Sequence, residues 1–291
     1  MIAINWGTSN FRAYKLDAGG RVEGEKSSGR GAVQVAPGGF PDALMGEVGD
    51  WVRDGETRVL MCGMVGARNG WKEAGYVAVP ATFEQVVHGV IRVEVDSVDV
   101  RIVPGLIGAD ECGVPEVMRG EETEIFGCTS ELAGYSYLCL PGTHTKWVRM
   151  EGGEIASFST SMTGDLYKAV REGTILRTST QHEPNDDGAF LSGVARSRES
   201  GDLGHHLFGV RTLVLTGKMQ EQSASSYLSG LLIGHEVKAM TQAGNRVHLV
   251  GDSALCMLYA NALRESQVES TVEPAGAALR GLVRIAGRLA W

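Results

Sequence analysis

The fold is decided by an amino-terminal stretch, residues 2–14, which reads IAINWGTSNFRAY. Apolar residues alternate on both sides of a short polar turn that contains Gly7 and Thr8. Alternation with a period of two around a glycine-containing turn predicts two β-strands joined as a hairpin. A second turn, Asp17 to Gly20, leads towards a third predicted strand. The chain is therefore expected to open with a three-stranded meander.

The same order of elements returns near the middle of the chain. An apolar stretch at 137–140 is followed by a turn containing Gly142 and Thr143, and then by a second apolar stretch. A Gly152-Gly153 turn precedes a third predicted strand near 155–158. The repetition of strand, Gly-Thr turn, strand, Gly-Gly turn and strand predicts an internal duplication.

Each half also contains a buried strand that ends at a glycine. Residues 57–62 lead to Gly63, and residues 247–250 lead to Gly251. The interval from the Gly-Thr turn to this glycine is 56 residues in the first half and 109 in the second, so a duplication would carry an insertion of about 53 residues. The insertion would include residues 178–188 and helices around 228–240. Helical spacing at 41–51 and a helix opening at Glu121 alternate with these strands, which predicts the α/β class.

Length and composition are those of a folded protein. The 291 residues favour two domains, which we place at 1–132 and 133–291. The chain has 43% hydrophobic and 21% charged residues, which argues against general disorder, and its 40 glycines show no collagen period. A net charge of −8 offers no broad basic surface, so we expect no nucleic-acid partner.

The amino terminus has no cationic flank before an apolar core, and no later run is long enough to span a membrane. The five cysteines are odd in number and far apart, which predicts buried thiols in a reducing cytoplasm and no disulfide framework. His205 and His206 have no further ligand at a metal-binding spacing, so no zinc site is predicted.

The two Gly-Thr turns are the first candidates for chemistry. A hairpin tip of glycine and hydroxyl residues lets backbone N–H and side-chain O–H groups approach phosphate oxygens closely. Either turn taken alone is more often a plain tight turn. Neither has the spacing of a Walker loop, and no GxGxxG follows a strand.

Other candidates are polar residues at predicted element ends. Glu121 and Glu122 follow Gly120 at a helix start, where one could act as a general base or both could simply favour the helix dipole. Asp165 could face a metal, although helix capping is the commoner role. After the strand ending at Cys62, Arg68 could pair with a carboxylate or remain solvated.

Taken together, these segments resemble the 2-dehydro-3-deoxygalactonokinase family. The matching segments are residues 4–14, 63–71, 118–123, 141–148, 162–164 and 229–234, in order over nearly the whole chain. The family is similar to the superfamily of sugar kinases, Hsp70 and actin. The resemblance implies two ribonuclease H-like (actin-like ATPase) domains related by duplication, with ATP and Mg²⁺ in a cleft between them. It implies phosphorylation of 2-dehydro-3-deoxy-D-galactonate at the 6-hydroxyl, in galactonate and galactose catabolism.

The resemblance also assigns roles to residues. The ATP phosphates would be bound by Gly7, Thr8, Ser9, Gly142, Thr143, His144 and Thr145, and the adenosine by Gly251, Asp252 and Gly276. The sugar acid would contact Asn10, Arg12, Arg68, Asn69, Trp71 and Tyr76, with Arg12 and Arg68 as the candidate cations for its carboxylate. Glu121, with Glu122 as the alternative, would be the base. Asn5 and Asp165 would lie at the metal.

Two residues depart from the family pattern: Asn5, and Ala67, which stands where many relatives have Ser in the predicted substrate loop. The first phosphate loop usually begins with Asp where this chain has Asn5, which removes a charge beside the metal; Asp165 could supply a substitute carboxylate. Alternatives are therefore a kinase for another sugar or sugar acid, an ATP-binding sensor without catalysis, and a phosphatase of the same superfamily. The sequence fixes neither the choice between galactonate and gluconate nor a homo-oligomeric state.

Overall fold

The protein is described here from a computed structural model, which covers residues 1–95 and 98–291. Its strands are β1 (Ile2–Trp6), β2 (Phe11–Leu16), β3 (Val22–Ser28), β4 (Arg58–Cys62), β5 (Tyr76–Ala78), β6 (Ile91–Val95), β7 (Val98–Ile102), β8 (Gly105–Ala109), β9 (Pro115–Met118), β10 (Tyr137–Leu140), β11 (Thr145–Glu151), β12 (Glu154–Ser161), β13 (Arg246–Leu249) and β14 (Glu269–Val272). Its α-helices are α1 (Phe40–Arg53), α2 (Phe83–His88), α3 (Glu121–Phe126), α4 (Thr163–Gly173), α5 (Asp187–Arg198), α6 (Leu203–Leu215), α7 (Ala224–Met240), α8 (Ser253–Glu265) and α9 (Ala277–Ala286).

The chain divides into two compact units. The first comprises Met1–Glu131, Met150–Phe158 and Pro274–Trp291, and the second comprises Leu132–Arg149 and Ser159–Glu273. In this division the carboxyl-terminal helix α9 belongs with the amino-terminal half, because it packs against α3, β1 and β4. The six-stranded sheet lies in the first unit, and the five-stranded sheet lies in the second unit except for residues 150–158 at the β11–β12 turn.

The sheet of the first unit has the strand order β3-β2-β1-β4-β7-β6. β1 pairs antiparallel with β2 and parallel with β4, which is the predicted meander joined to the predicted buried strand. Trp6 and Phe11 form the last pair of the first hairpin, and their rings meet edge to face with centroids 4.9 Å apart. Phe40 of α1 packs against Trp6 in the same way, which anchors the end of β1 in the core. A smaller sheet, β5-β8-β9, follows the predicted loop at 63–71.

The five-stranded sheet repeats this pattern with the order β12-β11-β10-β13-β14. β10 pairs antiparallel with β11 and parallel with β13, as β1 does with β2 and β4. The mixed sheets and the shared strand order agree with internal duplication and with the actin-like ATPase fold. The predicted fold class is confirmed.

The extra length of the second half forms helices between β12 and β13. In α7 the residues Ala224–Leu228 and Gly230–Gly234 are all buried, including the polar Ser225 and Ser226, so this helix lies within the core. α7 packs against α5 so closely that a Cβ atom at position 230 would lie 1.9 Å from the carbonyl oxygen of Phe190. Glycine is required at this contact because two helix backbones meet there.

The cysteines differ in their exposure to solvent. All five cysteines are free thiols, and Cys62, Cys139 and Cys256 are buried. The prediction of buried thiols is wrong for Cys112, which is exposed in the polar turn between β8 and β9. Among the described residues no helix combines the length and the apolar character needed to cross a bilayer.

The contact between α5 and α7 gives a stability test. Gly230→Ala would place a methyl group against backbone that cannot turn aside, so we expect a loss of about 1–3 kcal/mol or more in the free energy of unfolding. Gly209→Ala in α6 is the matched control, because a Cβ there meets nothing within 4 Å. Alanine's higher helix propensity should leave that variant unchanged or up to ~1 kcal/mol more stable. Equal thermal unfolding midpoints for the two variants would contradict the close contact.

Candidate active-site residues

The first predicted phosphate loop is a four-residue hairpin tip. The N–H of Gly7 donates to the carbonyl of Asn10 at 2.9 Å, so this group already has a partner. Thr8 and Ser9 are exposed at the tip. Gly31 packs underneath, where a Cβ would lie 1.9 Å from the Thr8 carbonyl oxygen. The loop is therefore fixed from below and presents its hydroxyl groups outward.

The second predicted phosphate loop is supported in the same way. Thr143 and His144 are exposed, and Gly164 packs behind them. A Cβ at position 164 would lie 2.6 Å from the carbonyl oxygen of Gly142. The N–H of Asp165 donates to the carbonyl of Thr143 at 3.1 Å. In both units, then, a glycine after the third strand holds the loop after the first strand.

Asp165 does not cap its helix. The N-cap position of α4 is Met162, and Asp165 is the third residue of the helix, so the prediction of a capping role is wrong. Its Oδ2 instead lies 2.8 Å from Nε2 of His144. Because a carboxylate only accepts, Nε2 carries the proton in this bond. The contact fixes the orientation of the His144 ring beside the loop.

Thr145 faces the interior of the second unit. Its hydroxyl lies 2.8 Å from that of Tyr259, which donates to Glu236 at 2.8 Å. The indole N–H of Trp147 donates to the other oxygen of Glu236 at 2.6 Å. Burial raises the pKa of Glu236, while these hydrogen bonds, together with ones from Thr163 and Thr145, oppose that shift. The Thr145 hydroxyl thus connects the loop to a buried hydrogen-bond network.

The acidic helix start lies in the first unit. Gly120 has a φ of 108° and precedes α3. Glu121 is half-buried and accepts the N–H of Arg119 at 3.0 Å. Glu122 is fully buried, where its carboxylate accepts the N–H of Gly120 at 2.6 Å and the hydroxyl of Thr123 at 2.9 Å. The two glutamates predicted as base candidates therefore have different surroundings.

The buried carboxyls of α3 are hard to ionise. Burial and the neighbouring charge of Glu121 raise the pKa of Glu122 to about 8. The same two causes raise the pKa of Glu124 to about 7, and the charge of Arg12 opposes the rise. Perturbed carboxyl groups of this kind cluster at functional sites.

Asn5 and the acidic helix start meet at the ends of two parallel strands. A Cβ at Gly63 would lie 2.7 Å from the carbonyl oxygen of Trp6 and 3.3 Å from Oδ1 of Asn5. A Cβ at Gly120 would lie 3.3 Å from Cα of Gly63. Ligands in open α/β sheets bind beyond the carboxyl ends of the strands, and these residues lie there.

The predicted substrate residues occupy varied positions in the first unit. Trp71 stacks on Phe40 at a centroid distance of 6.0 Å and so belongs partly to the core. Arg68 is 85% exposed and lies 3.7 Å from Glu73, and Asn69 and Asn10 are also exposed. Arg12 is exposed on β2, directly opposite Asn5 in the hairpin register.

Tyr76 contacts Arg119, a residue that the sequence analysis did not predict as part of the site. The guanidinium carbon of Arg119 lies 4.5 Å from the centre of the Tyr76 ring, and Nη2 donates to the carbonyl of Gly75 at 2.8 Å. Arg119 belongs to the segment 118–123 that carries the family resemblance. Only the two glutamates of that segment are predicted from the sequence as site residues. The sequence signal for Arg119 is its position immediately before a glycine and two glutamates.

The predicted adenosine residues lie at element ends. Gly251 has a φ of 132° and a Cβ there would lie 3.7 Å from the carbonyl of Pro141, which places it beside the second loop. The Asp252 side chain caps α8 by accepting from the N–H of Leu255 at 3.1 Å. Gly276, with a φ of 92°, precedes α9 in the first unit.

A cavity of about 640 Å³ lies elsewhere in the second unit. Arg246 and Glu269, the first residues of β13 and β14, line it together with Tyr135 and Arg264. It therefore opens at the opposite ends of the strands from Gly251. It does not include any predicted site residue.

The chain is similar to known proteins over nearly its whole length. A family model described as 2-keto-3-deoxy-galactonokinase matches residues 5–285. The chain is 36% identical to a protein of Rhizobium meliloti (strain 1021) named as a 2-dehydro-3-deoxygalactonokinase, with 99% of this chain and 97% of the relative covered. It is 33% identical to 2-dehydro-3-deoxygalactonokinase of Escherichia coli (strain K12), with coverage of 97% and 96%.

A solved structure gives the same result. The chain is similar to a crystal structure of a Sinorhizobium meliloti protein that carries the 2-dehydro-3-deoxygalactonokinase name, with a TM-score of 0.87 and 36% identity. The similarity covers 98% of this chain and 97% of the other. Family model, relatives and structure all span nearly the whole sequence, and this protein therefore belongs to the 2-keto-3-deoxy-galactonokinase family.

Proposed function

We propose that the protein transfers the γ-phosphoryl group of ATP to the 6-hydroxyl of 2-dehydro-3-deoxy-D-galactonate. The observation that carries the proposal is the match to the kinase family over residues 5–285. Two hydroxyl-bearing hairpin tips and an acidic helix start at strand ends are the groups that such a transfer needs. The first unit would hold the first phosphate loop and the sugar acid, and the second unit the second phosphate loop and the adenosine contacts of Gly251 and Asp252.

The phosphate contacts follow from what each loop leaves accessible. Thr8 and Ser9 in the first loop, and Gly142, Thr143 and His144 in the second, are the groups we propose to bind phosphate oxygens. Gly7 and Thr145 contribute by fixing the loops, since the N–H of Gly7 and the hydroxyl of Thr145 already have internal partners. Donors fixed in advance stabilise developing charge without reorganising during the reaction.

Glu121 is the proposed general base. A base must come within hydrogen-bond reach of the proton it removes, and Glu122 is fully buried beneath Gly120. A carboxyl with a pKa of about 8 also holds its proton at neutral pH. Glu121 is half-buried and takes the hydroxyl proton as the oxygen attacks the γ-phosphorus and the bond to ADP breaks. Glu122 positions the turn by accepting the N–H of Gly120.

The sugar acid is proposed to contact Asn10, Asn69, Trp71 and Tyr76. Its carboxylate requires a cation, and Arg12 and Arg68 are the residues proposed from the sequence. Arg68 already lies 3.7 Å from Glu73. The charge of Arg12 opposes the rise that burial causes in the pKa of Glu124, so Arg12 also has an acidic neighbour. The choice among the arginines of the first unit is taken up below.

Mg²⁺ is proposed to accompany ATP. Asn5 offers an amide oxygen at the end of β1 and Asp165 a carboxylate at the start of α4, and oxygen ligands are the kind that Mg²⁺ takes from proteins alongside water and phosphates. Each of these two oxygens is therefore of the kind that suits the ion. When bound, the ion neutralises the phosphate charge and orients the β and γ oxygens.

The activity itself is tested with purified protein, ATP, Mg²⁺ and a panel of 2-keto-3-deoxy sugar acids, by following ADP release. Turnover is expected on the galactonate form, with the gluconate form as the stereochemical comparison. ATP binding without turnover on any acid would instead indicate a sensor. Hydrolysis of polyphosphate or nucleotide without an acceptor would indicate a phosphatase.

The assignment of the base is tested with Glu121→Gln, which keeps the side-chain shape but cannot take a proton. Loss of general base catalysis should lower kcat by roughly two to four orders of magnitude. Glu122→Gln is the matched variant and should retain most of the activity, because Gln still offers an oxygen to Gly120. A larger loss in Glu122→Gln than in Glu121→Gln would reverse the assignment.

The role of Asn5 is tested with Asn5→Asp. A carboxylate at this position should lower the Mg²⁺ concentration needed for half-maximal activity at fixed ATP, since it adds a charged oxygen ligand. Asn261→Asp in α8 adds the same charge in the other unit and should leave the Mg²⁺ dependence unchanged. If Asn5→Asp behaves like that control, Asn5 does not lie at the metal.

A further inference from the structure

Arg119 is a half-buried cation, and two of its guanidinium nitrogens have no hydrogen-bond partner among the described residues. Its Nε and Nη1 are shielded from solvent, and within residues 1–95 and 98–291 neither has a hydrogen-bond acceptor. A guanidinium is always protonated and has only donors, so both groups are donors left without an acceptor. Such groups are rare in folded proteins and call for an explanation.

The surroundings of Arg119 provide a hydrogen-bond acceptor for only one of its guanidinium nitrogens. The Tyr76 ring covers one face, and Nη2 donates to the carbonyl of Gly75 at 2.8 Å. Nη1 lies against Gly66, where a Cβ would come within 3.0 Å of it. The backbone of the loop after β4 thus approaches the guanidinium closely, and glycine at position 66 leaves room for it.

Two nearby carboxylates hydrogen-bond to main-chain groups beside Arg119. Glu121 accepts the main-chain N–H of Arg119, and Glu122 accepts the N–H of Gly120. Among the described residues none forms an ion pair with the Arg119 guanidinium. By contrast, Arg68 lies near Glu73, and Arg101 pairs with Asp99 at 3.0 Å while its guanidinium stacks on the Trp291 ring. Two buried donors of Arg119 therefore remain available to an acceptor supplied by a ligand.

We propose that Arg119 binds the carboxylate of the sugar acid substrate. The inference rests on the proposed function, because that function supplies an acid whose carboxylate stands beside a keto oxygen. A planar guanidinium fork matches such a planar group with two parallel hydrogen bonds. For both buried donors to reach the substrate, the guanidinium would have to turn away from Gly75 and Tyr76, which hold it by one hydrogen bond and one ring face.

The position of Arg119 suits a six-carbon acid. Glu121 is bound to the main-chain N–H of the same residue, so the base and the guanidinium are separated by about the reach of one arginine side chain. The carboxylate and the 6-hydroxyl are at opposite ends of the substrate. Arg119 would hold the acid end while Glu121 faces the hydroxyl end. Arg119 is then the specificity residue that distinguishes a sugar acid from a neutral sugar.

The test compares Arg119→Met and Arg119→Lys with the wild type by calorimetric titration without ATP, using the acid that the wild type phosphorylates. The second ligand is the same sugar with an aldehyde in place of the carboxylate. Arg119→Met should raise the Kd for the acid by about 10- to 100-fold, the range expected for losing charge-assisted hydrogen bonds, and leave the Kd for the aldehyde unchanged. Arg119→Lys should recover part of the loss, because it keeps the charge without the fork. The KM for ATP should not change.

Arg101→Met is the matched control, since Arg101 also stacks on a ring but is already paired. It should bind both ligands as the wild type does. Equal losses for acid and aldehyde in Arg119→Met would show a structural role, and wild-type affinity for the acid would also overturn the inference. So would an acid-specific loss confined to Arg12→Met or Arg68→Met.

The proposed function and this inference fail separately. Turnover by the wild type on a different sugar acid would reject the galactonate assignment, and the Arg119 comparison would then be made with that acid. Turnover only on a neutral sugar would reject both, because no carboxylate would remain to be bound.

Discussion

The candidate site depends on close approach between main chains at the two phosphate loops. The carbonyl of Thr8 lies where a side chain at position 31 would be, and the carbonyl of Gly142 lies where a longer side chain at position 164 would be. Any residue larger than glycine at either place would push a loop out of position. Because the same constraint recurs after the third strand in each unit, it is a structural sign of the duplication that complements the strand order.

The same kind of contact fixes the acidic helix. A Cβ at Gly127 would lie 1.9 Å from the carbonyl of Ala277, and one at Gly281 would lie 1.9 Å from the carbonyl of Thr123. α3 and α9 therefore pack backbone to backbone, and Arg280 donates to the carbonyl of Gly127 at 2.8 Å. A cation at the carboxyl end of a short helix complements its dipole. The packing holds Glu121 and Glu122 in place although α3 has only six residues.

Much of the fold could be predicted from local sequence, and much of the site could not. The meander at 2–14, its repeat at 137–158, and the helix opening at Glu121 follow from periodicity and turn residues close together in the chain. The engagement of Thr145 depends on Tyr259, which is 114 positions away. The burial of Glu122 and the incomplete bonding of Arg119 also arise from packing between distant segments. A single sequence shows residue types, but burial decides which of them can reach a ligand.

Electrostatics gives a physical reason why a neutral residue is acceptable at position 5. Asn5 Oδ1 lies close to Gly63, which in turn contacts Gly120 at the start of α3. Burial and the charge of Glu121 already raise the pKa of both Glu122 and Glu124. Without a bound cation, a fourth carboxyl near them would raise these pKa values further, because like charges in a poorly solvated site repel one another. In the proposed metal site the amide of Asn5 would keep an oxygen ligand without adding to this repulsion, and the charge of Arg12 already opposes the rise in the pKa of Glu124.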